Sequence, residues 1–235
     1  MNRLFKNILK IIGALVVILF LFFGFLYLKY NDDLPQGAQG PLADALANKM
    51  LTALNAEAYA ETHYLEWSYR KNQYKWYKID DNCEVTWDDF KVILNFNDPS
   101  SSKAYVHNFE VRHEQADELI DKALKSFYND SFWLVAPFKA FDEGTERRLV
   151  LTDSGEEALL VTYTSGGVTP GDSYLWLLED SGKPYAFRFW TSIVPIKGLE
   201  ASWQDWITTE SGVLLPGSHK VSFLKMSMGD VKATK

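Results

Sequence analysis

The sequence predicts an α+β protein, with an N-terminal transmembrane helix followed by a large antiparallel sheet packed against two or more helices. Three observations carry this. Ile11 to Leu28 is an unbroken apolar run, IIGALVVILFLFFGFLYL. From Leu65 onward, segments of alternating apolar and polar residues recur between turns rich in Gly, Asn and Asp. Only two later stretches keep helical spacing, and few connections are long enough for parallel crossovers.

The apolar run comes first. At ~1.5 Å per helical residue it reaches about 27 Å, close to the ~30 Å hydrocarbon core of a bilayer. Arg3, Lys6 and Lys10 precede it, while Lys29 is followed by Asp32 and Asp33. The excess of basic residues before the run places the N-terminus in the cytoplasm. A cleavable signal peptide fits less well. Its apolar core is shorter, and here the exit Phe25-Leu-Tyr-Leu-Lys-Tyr30 is bulky, with Gly37, Ala38 and Gly40 well beyond it. Cys83 lies far from the position that a lipoprotein signal requires. The expected organisation is a cytoplasmic tail over residues 1–10, a signal anchor over 11–28, a linker over 29–40 and an extracytoplasmic domain over 41–235. Localisation follows as the inner (cytoplasmic) membrane, single-pass, with the main domain periplasmic or extracellular.

Asn31–Gly40, NDDLPQGAQG, reads as a short flexible linker. Pro41 suits a first helical turn, and Leu42, Leu46, Met50 and Leu54 carry the helical period to about Ala60. Leu65, Trp67 and Tyr69 then alternate with Glu66, Ser68 and Arg70, and strand patterns follow over Tyr74–Ile79, Glu84–Trp87 and Lys91–Phe96. Asn97–Ser102 reads as a loop. A second helix is expected over about His113–Tyr128, with Leu119, Ile120 and Leu124 on its buried stripe and acidic residues toward its start. The aromatic stretch Ser131–Phe138 leads into further strands: Glu146–Thr152, Ala158–Thr164, Tyr174–Leu178, Tyr185–Val194, Glu200–Thr208, Val213–Leu215 and Lys220–Met226. About ten strands result.

Composition narrows the function. With 24 basic and 31 acidic residues the formal charge is −7, which argues against nucleic acid and against a broad polybasic contact with lipid headgroups. One Cys excludes an intramolecular disulfide, so the domain depends on its own core. The loop Ser165–Asp172 sets Gly166 and Gly171 at phosphate-loop spacing, yet Asp172 and Ser173 stand where Lys and Ser/Thr are required. There is no Gly-x-Ser-x-Gly elbow. His63, His107, His113 and His219 form no helical metal pair, and paired acids such as Asp80-Asp81 and Asp88-Asp89 sit at turns, where they cap and solvate. No cofactor, metal or catalytic residue is expected.

The aromatics are the remaining signal: 8 Trp, 12 Tyr and 15 Phe, with Trp67, Trp76, Trp87, Trp176, Trp190, Trp203 and Trp206 in expected strands. Tyr174–Leu178 and Tyr185–Val194 are apolar on both faces, where a half-solvated sheet should alternate. One face then packs on helices while the other lines a cavity or meets something else, with Trp176 and Trp190 as candidate wall residues of a ligand pocket. A thick two-sided core is the competing explanation.

An anchor, a lead helix, a strand meander, a helical interruption and a second meander, over roughly Pro41 to Met226, resemble the LolA/LolB-like lipoprotein-carrier superfamily of bacterial envelopes. The resemblance is architectural, with no family motif matched residue by residue. It implies a curved antiparallel half-barrel closed by helices around a cavity for acyl chains. The expected function is a membrane-tethered, non-enzymatic domain binding a lipid acyl chain or other apolar ligand. The alternatives are a structural or protein-interaction module with a dry core and a hydrolase with a scattered site. The membrane is the expected partner through the anchor, nucleic acid is not, and no protein partner is indicated.

Overall fold

A computed structural model of the chain describes residues 3–165 and 169–235. Helix α1 spans Arg3–Tyr30, and its Lys10–Lys29 stretch is long and apolar enough to cross a membrane, with 0% of it buried. Leu, Ile, Val and Phe side chains are exposed along it.

The expected lead helix is two. α2 (Pro41–Ala53) buries Ala43, Leu46, Ala47 and Met50, and α3 (Ala56–Ala60) follows at an angle set by Asn55. Asn55 adopts a left-handed backbone (φ 57°), accepts a bond from the Ala58 amide and donates its own amide to Gly212 O at 3.0 Å. Asn tolerates this conformation and caps helices, so it breaks a period that looked continuous.

Among the described residues the strands divide into two seven-stranded antiparallel sheets and a two-stranded ribbon, β12 (Ile207–Thr208) with β13 (Leu214–Leu215). The N-terminal sheet contains β1 (Tyr64–Tyr69), β2 (Asn72–Tyr77), β3 (Asn82–Trp87), β4 (Phe90–Asn95), β5 (Lys103–Val106) and β6 (Phe109–Val111) in sequence order. Beyond β1 it is completed by the final strand, β16 (Lys232–Thr234). The C-terminal sheet runs β15 (Leu224–Ser227), β14 (Ser218–Val221), β11 (Leu199–Gln204), β10 (Pro184–Trp190), β9 (Ser173–Leu178), β8 (Glu157–Tyr163), β7 (Thr145–Leu151).

A single large sheet was expected, so the division is a correction. Between β15 and β16 the chain turns at Gly229, in the left-handed region (φ 69°), and changes sheets. The two sheets meet where the Ser68 amide donates to Met228 O at 3.0 Å. A three-residue strand pairing with one at the other end of the domain leaves no local pattern to detect. Short hairpins account for the remaining uncounted strands. Lys220–Met226, for example, folds back on itself at Ser222 (φ 54°).

The expected second helix is α4 (Glu114–Val135), which continues through the stretch read as non-helical. Its buried stripe is Ala116, Ala123, Phe127, Leu134 and Val135, while Leu119, Ile120 and Leu124 are half-buried against the same core. The longer helix joins the two halves: Trp133 packs against both the N-terminal core (Trp67, Tyr74, Val85, Leu94) and the C-terminal core (Leu159, Trp176, Phe187, Trp203).

The sheets differ as their patterns require. β1 and β3 alternate strictly, with Leu65, Trp67, Tyr69, Cys83, Val85 and Trp87 buried. The opposite face is polar, with Lys75 3.8 Å from Glu84 and Lys232 3.4 Å from Glu66 across the strands. The C-terminal sheet is apolar on both faces. One packs on α2 and on the 3-10 turn after α4. The other carries Val150, Ala158, Leu160, Leu175 and Trp190, and the residues after α1 lie along it.

That segment, expected to be a flexible spacer, is bonded to the sheet at several points. The Asp32 amide donates to Lys197 O at 3.0 Å, and Ala38 and Leu149 exchange backbone bonds of 2.9 and 2.8 Å. Asp32 also pairs with Arg188. Gly37 passes so close to β7 that a Cβ would lie 2.8 Å from Leu149 O and from the Val150 side chain.

Candidate functional site

Ser126, Asn129, Asp130 and Trp133 recur at three- and four-residue spacing, so α4 presents them together on one side. They face the line where the two sheets meet. β1 brings Tyr69 to that line, and the turn at Arg70 (φ 55°) brings Asn72 on β2 back to it. From the C-terminal sheet come Val221, Leu224 and Met226, around the β14–β15 hairpin. Together with Lys125 these residues border a cleft of about 580 Å³. Tyr69, Trp133, Val221, Leu224 and Met226 give it an apolar part, Asn72, Ser126, Asn129 and Asp130 a polar part, and Arg70 and Lys125 stand at its exposed rim. The Tyr69 hydroxyl meets the Met226 sulfur at 3.0 Å, which closes the seam between sheets at this point.

The charge at the base of the cleft is fully engaged. Asp130 is buried and accepts bonds from the Tyr74 hydroxyl, from Asn72 Nδ2 at 3.0 Å and from Asn129 Nδ2 at 2.8 Å. A buried carboxylate needs such donors to offset its desolvation. Burial, with Asp130 beside it, pushes the Tyr74 phenol well above its ordinary range, so Tyr74 stays protonated and donates. At the rim the Arg70 guanidinium lies 5.4 Å from the Tyr69 ring, and Lys125 pairs with Asp121 at 2.7 Å.

Behind Trp133 sits His219, its ring 5.2 Å from the indole and its Nδ1 3.0 Å from Ser202 O. Bonding to a carbonyl assigns the proton to Nδ1. Burial pushes its pKa down to about 4, so the ring is neutral at pH 7 and belongs to the aromatic layer with Trp203.

The two tryptophans expected to line one pocket do not share one. Trp176 is 1% exposed on the helix-facing side, its ring 5.1 Å from Phe187 and 5.0 Å from Trp203. Trp190 is on the opposite face. Trp176 pairs with Phe187, and Trp190 stands three residues beyond Phe187, an odd step that reverses the side chain. A register shift between Pro184 and Ala186 conceals this from the sequence. Trp190 instead borders a shallow depression of about 350 Å³ with Leu34, Asp172 and Lys197, and its indole is bonded to Asp32 O.

The other candidate features resolve simply. Gly166 lies outside the described residues. Asp172, at the far end of that loop, is buried and accepts from the Ser192 amide at 3.0 Å, which braces the β10–β11 connection. His63, His107 and His113 are exposed and His219 is buried. Among the described residues no group of three His, Cys, Asp or Glu is placed to hold a metal. The cleft itself escaped the sequence reading, although one signal existed: Asp130 continues the seven-residue spacing of Ala116 and Ala123, a charge on an otherwise buried stripe.

No family model, curated protein or solved structure matches the chain.

Proposed function

We propose that this chain is a membrane-tethered, non-enzymatic domain that takes a lipid acyl chain or another apolar ligand in the cleft beside Trp133. In this reading α1 crosses the cytoplasmic membrane with its N-terminus inside, and the two sheets form a carrier-like half-barrel around α2, α3 and α4. One observation supports it above the others: a cleft of about 580 Å³ bordered by apolar Tyr69, Trp133, Val221, Leu224 and Met226 and by polar Asn72, Ser126, Asn129 and Asp130, with Arg70 and Lys125 at the rim. That size and lining suit an elongated apolar ligand with a polar end. The engaged state of Asp130 and the neutrality of His219 favour binding over acid–base chemistry. The packing of Trp67, Trp176 and Trp203 in the cores favours the interaction-module alternative, which needs no cleft at all.

The test is photo-crosslinking of a diazirine fatty acid to the full chain in phospholipid vesicles, followed by peptide mapping. Labels on Tyr69–Asn72 and Lys125–Trp133 are expected, and Met226→Glu should reduce them, because a desolvated carboxylate opposes an acyl chain. Labelling confined to α1 would leave the interaction module ahead.

A further inference from the structure

The strand registers bring three loops to one end of the C-terminal sheet. Thr162 pairs with Ser173, and Ser173 with Trp190, so the β8–β9 and β10–β11 connections leave the sheet on the same side. Ala201 pairs with Phe187 and also with Val221, which carries the β14–β15 tip at Phe223 level with Leu199. This is also the end at which α1 arrives. The two residues after α1 are pinned there: Asn31 Oδ1 accepts from the Lys197 amide at 3.0 Å, and the Asp32 amide donates to Lys197 O at 3.0 Å.

The side chains at this end are not those of a solvated loop. Ile193 is 69% exposed, Phe223 85% and Leu224 56%, and Pro195 is exposed between Val194 and Ile196. Ile193 is four residues from Lys197, hence no more than about 17 Å from the Asn31 side chain at ~3.5 Å per residue and across the 3.0 Å bond. The headgroup layer is itself roughly 5–8 Å deep on each side of the hydrocarbon. Single exposed apolar residues are ordinary, but apolar loop tips bonded to the exit of an apolar helix have a lipid surface within reach.

We propose that the Ser192–Lys197 loop and the Ser222–Leu224 hairpin tip form a second, peripheral contact with the bilayer that holds α1, their apolar side chains lying in its headgroup layer. This deepens the function proposed above and rests on α1 crossing that bilayer. The contact fixes which end of the domain faces lipid. Since Val221 and Leu224 belong to both the hairpin and the cleft wall, it opens the cleft toward the membrane surface.

The test uses the full chain in phospholipid vesicles, with Ile193→Cys, Phe223→Cys or Leu151→Cys labelled by an environment-sensitive fluorophore. Native Cys83 does not interfere, because it is buried and burial pushes its thiol far up. Leu151 is equally exposed (67%) but lies at the far end of the same sheet, about 20 Å along β7 at ~3.3 Å per residue. Lipids with a nitroxide near the headgroup should diminish the emission of probes at 193 and 223 and leave the probe at 151 unchanged. Equal, unquenched emission from all three, with the chain resistant to carbonate extraction, overturns the lipid contact and leaves the anchor standing. Unquenched probes on a chain that carbonate releases overturn both.

Discussion

Trp190 donates its indole N–H to the backbone carbonyl of Asp32 at 2.8 Å, joining the last residue of β10 to the second residue after the apolar helix. Around this bond Arg188 pairs with the Asp32 carboxylate, and its guanidinium lies 5.5 Å from the Trp190 ring. The segment after α1 is therefore part of the C-terminal sheet's outer surface.

Trp190→Phe keeps an aromatic ring and removes the donor. A net loss of about 1 kcal/mol is expected, together with faster protease cleavage between Asn31 and Gly40. Cleavage at the wild-type rate would show that the bond does not hold the segment.

Gly37→Ala tests the close passage of the segment over β7. The added methyl would stand 2.8 Å from Leu149 O, and overpacking of this kind costs about 1–3 kcal/mol. Gly13→Ala meets nothing within 4 Å and should leave the melting temperature unchanged. Thermal unfolding of both variants in the same detergent compares them directly.

Asp130→Ala should destabilise the domain by about 2–3 kcal/mol, because the Tyr74 hydroxyl and the Asn72 amide lose their buried acceptor. Asp130→Asn retains an acceptor and should cost less. Urea titration separates the two, and equal losses would mean that shape rather than hydrogen bonding matters at the cleft base.

His219 gives a pH dependence with a definite sign. Its folded pKa of about 4 lies below the ordinary histidine value near 6.5, so the unfolded chain takes up a proton first as pH falls. Stability from this residue is complete above about pH 6.5 and declines by roughly 3 kcal/mol in total by about pH 4. His219→Gln should flatten that part of the profile when unfolding is measured at pH 7.5 and 4.5. An identical pH slope in the variant would remove His219 as its cause.

Leu134→Ala should cost about 2–5 kcal/mol, since Leu134 is fully buried. Leu124→Ala should cost less, because Leu124 only borders the core. Melting temperatures that rank the other way would place the helix stripe elsewhere.

The physical reason for what could be read from the chain is local. An uncharged run of membrane-spanning length specifies α1 by itself, and strict alternation in Leu65–Tyr69 and Glu84–Trp87 announces strands with one buried face. The apolar character of both faces around Trp176 and Trp190 is matched by burial on both faces, Trp176 on the helix side and Trp190 against the segment after α1. Helix ends were less legible: the apolar period runs on through Asn55, and past Tyr128 the α4 stripe carries Asp130, a charge whose burial depends on Tyr74 and Asn72 from a distant strand.

Non-local pairing decided the rest. Which sheet receives Lys232–Thr234, which side of the sheet Trp190 occupies, and which residues meet beside Trp133 all follow from register and chain reversal, and a single register shift at Pro184 is enough to invert a face. The segment Asn31–Gly40 shows the difference most directly. Its Pro, Gly and Asp content specifies a chain without a regular element of its own, and that is what it is. Its attachment comes from partners in the folded sheet, Leu149, Arg188, Trp190 and Lys197, that only the tertiary structure brings within hydrogen-bonding distance.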